Sequence, residues 1–119
     1  MTNQQIANRL HSLVEAGDYF TAYDELFHPN AVAQEPQLAE MGLAEVKGVP
    51  AIKAKVASMS EGIAELISRD MSTPIVSGNH IAFTNVVKAK MKDDSEFQLS
   101  EICLYEVKDG QIVSEQFFY

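Results

Sequence analysis

Basic residues are scarce in this chain. Nine lysines and arginines stand against seventeen aspartates and glutamates, a net charge of −8. Nucleic-acid grooves and anionic membranes select Lys/Arg clusters, so neither is expected as a partner. Cysteine occurs once, as Cys103, which excludes an internal disulfide and the paired-cysteine zinc patterns. Long apolar runs are missing, and nothing approaches the roughly 20 residues of a transmembrane helix. The segment from Met1 to Leu10 is polar and amphipathic, with no apolar signal core. A soluble cytoplasmic protein is the expectation. His11, His28 and His80 have no HxH or HExxH spacing, so no preformed metal site is expected. Glycine-rich phosphate loops, a nucleophile elbow, repeats and low-complexity tracts are absent as well, and no cofactor is implied.

What remains is an ordinary globular composition. With 119 residues and 46% apolar content, the chain fits one domain spanning 1–119. A chain of this size buries roughly two-thirds of its unfolded surface. The acidity is uneven: residues 1–46 carry seven acids and only Arg9, whereas 47–119 carry ten acids and eight bases. Such asymmetry bears on solubility, not fold, and reads as a solvated acidic helical face.

Helical signals come first. Thr2 and Gln5 form a capping-box pattern, and Ile6, Leu10, Leu13 and Val14 make one apolar stripe. Gly17 ends that helix and Asp18 caps the next, lined by Tyr19, Tyr23, Leu26 and Phe27 and stopped at His28-Pro29-Asn30. Ala31 to Glu35 is a short strand, and 37–46 reads as a mobile loop or flap. Gly48 and Pro50 open a third helix with Ile52, Val56, Met59 and Ile63 on its stripe. Strands follow after about Ala64: Ile75-Val76, then Ile81 to Met91, Phe97 to Val107 and, beyond the Asp109-Gly110 turn, Ile112 to Tyr119. Helices followed by an antiparallel meander define an α+β class. Between Phe97 and Val107 both parity sets contain apolar residues. One face is expected to cover helices and a cavity, the other to meet a second subunit through Ile102 and Leu104.

The order of these signals resembles the SnoaL-like families of the nuclear-transport-factor-2-like superfamily, which also contains the ketosteroid isomerases. The matching features are the helix break at Ala16-Gly17-Asp18, Leu26-Phe27-His28-Pro29-Asn30-Ala31-Val32 running into Glu35-Pro36, Gly48 with Ala51-Ile52, and the hairpin from Val107 to Val113. The tail, Glu101 to Tyr105 and Gln116 to Tyr119, looks like a bacterial subgroup with no assigned activity. The resemblance implies a cone-shaped barrel, a curved and mostly antiparallel sheet wrapped around three helices from the N-terminal half. It also implies a pocket at the open end and homodimerisation.

Carried over by position, the isomerase base falls on Glu35. A carboxylate on a buried rim is destabilised in its charged form and becomes suited to accept a proton. The two oxyanion donors of the isomerases fall on Leu10 and Cys103, which argues against ketosteroid-type isomerisation. In the last strand the resemblance turns Val113, Glu115, Phe117 and Tyr119 inward. Glu101 shares parity with Cys103, and Asn85 lies between Phe83 and Val87. Glu35, Glu101 and Glu115 are thus expected to converge as acid/base carboxylates, with Asn85, Cys103, Tyr105, Phe117 and Tyr119 as ligand contacts.

Plainer roles exist for each: a solvated rim position for any of the glutamates, core or dimer packing for Tyr105, Phe117 and Phe118, and a small buried hydrophobe for Cys103. Lys88, Lys90 and Lys92 read as a solvated or edge-protecting face. Two functions follow. The first is a pocket that binds, and transforms by carboxylate chemistry, a small and largely apolar organic molecule. The second is a non-catalytic accessory homodimer with a residual pocket.

Overall fold

The computed structural model describes all 119 residues. Helix α1 (Asn3–Glu15) begins at the expected capping box: the Gln5 amide donates to the Thr2 hydroxyl at 3.1 Å, and the Thr2 amide donates to Gln5 Oε1 at 2.8 Å. Its stripe of Ile6, Leu10, Leu13 and Val14 is buried. Gly17, at φ +73°, closes the helix while the Asp18 amide reaches back to the Leu13 carbonyl. Asp18 precedes α2 (Tyr19–Leu26), but its carboxylate accepts from the Thr21 hydroxyl at 2.7 Å rather than from a backbone amide.

Three boundaries differ from the sequence reading. Strand β1 spans Phe27–Gln34, so the chain passes from α2 into the sheet without a separate turn at His28-Pro29-Asn30. The presumed flap is ordered as a 3-10 helix (Pro36–Met41) and the short strand β2 (Glu45–Lys47), which pairs with β1. Helix α3 (Val49–Ser60) buries Ile52 and packs Val56 against the core, but Met59 is 39% exposed and Ile63 already begins a strand. Beside Val56, Lys55 is also turned inward and is buried.

The strands β3 (Ile63–Met71), β4 (Ile75–Ser77), β5 (His80–Met91), β6 (Glu96–Lys108) and β7 (Gln111–Phe118) complete a curved, unclosed seven-stranded sheet in the order β2-β1-β7-β6-β5-β3, with β4 also on β5. All pairings are antiparallel except β1 with β7. Strand β5 is internal, so its lysines guard no edge; Lys88 and Lys90 pair instead with Glu96 and Asp94.

Period-two alternation carries the core. Phe83 on β5 faces Cys103 on β6, and Tyr105 faces Glu115 on β7. The alternation breaks once. Val107 pairs with Ile112 but Glu106 pairs with Ser114, so Val113 is an extra residue on β7. Ile112, completely buried, takes the core position expected of Val113. On the opposite face Ile102 pairs with Phe118, and both are about half exposed.

Candidate functional site

The inner face of the sheet and the helices enclose a core of apolar side chains in which four polar residues are also buried: Glu35, Lys55, Asn85 and Glu115. Buried charge persists only where it is paired or neutralised. Each of the four meets that condition differently.

Glu35 stands between the end of β1 and the 3-10 helix. Lys55 Nζ, reaching in from α3, donates to its Oε1 at 2.8 Å, and the Tyr119 hydroxyl donates to its Oε2 at 2.7 Å. Both side chains of the ion pair are almost fully buried. The ammonium also lies 5.8 Å from the Phe117 ring centroid, within cation–π range. The expected apolar-walled base is therefore a buried ion pair with both oxygens engaged. Burial, then the bond to Glu35, pushes the Tyr119 phenol up.

Glu115 has no cation in direct contact. The Tyr23 hydroxyl donates to its Oε1 at 3.0 Å, and its other oxygen takes no protein hydrogen bond. Desolvation dominates its titration. Tyr23 and the Lys55 charge pull it down, the charges of Glu35 and Glu101 push it up, and the carboxyl is pushed up to about 7. Burial, then Glu115, pushes the Tyr23 phenol well up in turn.

Glu101, on β6, accepts from Asn85 Nδ2 at 3.2 Å and from Cys103 Sγ at 3.5 Å. Burial raises its carboxyl despite these bonds. The Cys103 thiol is raised by burial and by Glu101, so it remains a protonated donor, not a nucleophile. Tyr105 joins the carboxylates to the aromatic wall: its ring stacks on Phe83 at 5.6 Å and meets Phe27 and Phe117 edge-on at 6.2 and 6.4 Å. Burial holds its phenol protonated.

The sequence-selected residues thus fall into one region: Glu101, Cys103 and Tyr105 on β6, Asn85 on β5, Glu115 and Phe117 on β7, with Glu35 and Tyr119 bonded at one side. The three glutamates feel one another's charge. Three partners were missed. Lys55 sits on the stripe of α3 one turn after Ile52, and Tyr23 reads from sequence as packing alone. Arg69 on β3 turns inward, donates to the Val14 carbonyl and lies 5.3 Å from the Tyr19 ring centroid. A charged residue at an inward position of a helix or strand is the available signal for Lys55 and Arg69.

Two surface depressions, of about 450 and 350 Å³, border this cluster, and Tyr23, the donor to Glu115, lines the first. They sit where α2 meets α3, one lined by Asp24, Phe27, Pro29 and Lys53 and the other by Asp18, Phe20 and Val56. Glu35, Glu101 and Glu115 line neither depression.

Among solved structures the chain is similar over 100% of both chains to a candidate SnoaL-like polyketide cyclase from Mesorhizobium loti, at 25% identity and a TM-score of 0.86. It is similar to an NTF2-like protein of unknown function from Burkholderia pseudomallei at 16% identity and a TM-score of 0.81, covering 100% of this chain and 91% of that one. A protein with a ketosteroid isomerase-like fold from Catenulispora acidiphila, in complex with trimethylamine, matches at 16% identity and a TM-score of 0.71, covering 95% of this chain and 84% of that one. No curated protein matches the sequence. The SnoaL-like domain model matches residues 1–119, and by this match over its full length the chain belongs to the SnoaL-like family.

Proposed function

We propose that the protein binds a small, largely apolar carbonyl compound inside the cone and exchanges a proton with it through Glu115. The observation that carries this reading is a fully buried carboxyl pushed up to about 7 with a single hydrogen bond, from Tyr23. A group that titrates near the working pH serves best as both proton acceptor and donor. Ionised Glu115 takes a proton from the carbon beside the carbonyl, and the protonated carboxyl returns it. Glu35 is a poorer base, because Lys55 and Tyr119 occupy both of its oxygens.

Negative charge developing on the carbonyl oxygen needs donors in a water-poor site. Leu10 and Cys103 stand where the ketosteroid isomerases carry theirs, so the reaction is not isomerisation of that type. Tyr105 and Lys55 are the donors available here. Asn85, Glu101, Cys103 and Phe117 complete the ligand contacts. The trimethylamine bound to a relative of this fold supports a small-molecule pocket. The half-exposed pair Ile102 and Phe118 supports a homodimer through the outer face of the sheet.

The loss of both isomerase-type donors favours a second reading, a non-catalytic accessory dimer that binds without turnover. Exchange of α-hydrogens separates the two. Acetophenone or cyclohexanone in heavy water should lose its α-proton signals faster with protein than with buffer alone, and Glu115→Gln should remove about 100-fold or more of the protein-dependent rate. Binding with exchange no faster than buffer would establish the accessory reading. A Glu115→Gln variant as fast as the wild type would remove Glu115 from the reaction.

A further inference from the structure

Two buried polar atoms near Glu101 have no protein partner, and they are of opposite kind: Asn85 Oδ1, an acceptor, and Arg69 Nε, a donor. Asn85 is 4% exposed. Its Nδ2 is committed to Glu101, which fixes the amide plane and leaves Oδ1 aimed elsewhere. Arg69 is held just as firmly, with Nη1 on the Val14 carbonyl and its guanidinium against Tyr19. Across the β3–β5 ladder Arg69 is opposite Val87 and Met71 is opposite Asn85. Arg69 and Asn85 are therefore diagonal neighbours on the inner face, within reach of one shared group. The charges of Arg69 and Glu101 act on one another.

Buried donors and acceptors left unpaired cost stability, and those that persist in a folded chain mark a place where something else completes them. One group that both donates and accepts would satisfy both atoms. We propose that Asn85 and Arg69 form a subsite for a hydroxyl group of the bound molecule, which donates to Asn85 Oδ1 and accepts from Arg69 Nε. This inference rests on the proposed function and narrows its ligand to a hydroxylated, otherwise largely apolar carbonyl compound. A carboxylate offers no donor to Asn85 and is repelled by Glu101. An ammonium offers no acceptor to Arg69 and is repelled by it. Each ion is attracted by one of the charges of Arg69 and Glu101 and repelled by the other, so the subsite discriminates by hydrogen bonding.

Three probes of one shape test it: benzyl alcohol, benzoate and benzylammonium, each titrated into the ¹⁵N-labelled protein at pH 7. The readouts are the Arg69 Nε–H and Asn85 side-chain amide signals. Benzyl alcohol should move both, and should bind about tenfold or more tightly than either ion. Asn85→Ala should weaken the alcohol by about tenfold. Should that variant unfold, Arg69→Lys keeps the charge, lacks Nε–H and should weaken it similarly. Benzyl alcohol that moves Tyr105 and Phe117 signals but neither Asn85 nor Arg69 overturns the subsite while leaving the pocket intact; the pair is then served by water alone. Preference for benzoate or benzylammonium overturns it in favour of an ion site. Failure of every probe to move any signal of the cone interior overturns the subsite and the pocket reading together.

Discussion

At the scale of single residues the molecule separates two kinds of buried carboxylate. Glu35 is compensated by Lys55, whereas Glu115 is compensated mainly by taking up a proton. Stability responds differently to each. Because the folded carboxyl of Glu115 titrates near 7 and a free one near 4.5, the folded chain holds more protons than the unfolded chain between those values. Stability from this group is complete below about pH 4.5 and is lost as pH rises through about 7. At about 1.4 kcal/mol per pH unit the loss is on the order of 3 kcal/mol. Urea unfolding of Glu115→Gln should therefore give a flatter stability profile than the wild type across this interval, with the variant the more stable at pH 8. Parallel profiles would mean that the carboxyl is solvated. Lys55→Met should do the opposite, costing about 3–5 kcal/mol because it strands a buried carboxylate. Adding Glu35→Gln to it should restore most of that loss. If the double variant is no better than Lys55→Met, the lysine acts through packing rather than through the pair.

At the scale of elements, what was legible in the sequence followed local signals, and what was missed followed tertiary ones. The capping box at Thr2, the stripe of α1 and the Asp109-Gly110 hairpin all have their causes within a few neighbouring residues. In that hairpin Asp109 and Gly110 adopt φ +52° and +78° while Lys108 pairs with Gln111, a two-residue turn that requires the left-handed region twice. Space around Gly110 is open, so Gly110→Ala should cost only the backbone penalty, about 1–2 kcal/mol. Denaturation midpoints of the two proteins measure it, and equal midpoints would mean that the turn relaxes to another type. The ordering of 36–47 depends on pairing with β1, which lies outside the segment itself. The burial of Lys55 depends on Glu35 across the core. The bulge at Val113 depends on registering β7 against two neighbours at once. None of these leaves a periodic signal in its own segment.

At the scale of the whole molecule, the curved sheet brings residues from β5, β6 and β7 and the end of β1 into one desolvated space. The candidate site was legible because alternation along β5 and β6 assigns faces to Asn85, Glu101, Cys103 and Tyr105. The pairing of Glu35 is not legible in its own segment, because Lys55 lies on another element. The outer face of the same sheet leads to a separate expectation. Ile102 and Phe118 form an exposed apolar pair across β6 and β7, and sedimentation at micromolar concentration should give about twice the 13.2 kDa chain mass. A monomer throughout that range would contradict a dimer built on this face, and Ile102→Lys should dissociate the dimer if it forms there. Proton exchange through Glu115 requires an interior dry enough to hold a carboxyl protonated near neutrality. Carbon-13 NMR of labelled glutamate side chains measures this directly. The Glu115 signal should titrate with a midpoint near pH 7, and a midpoint at the ordinary glutamate value of about 4.5 would contradict the account.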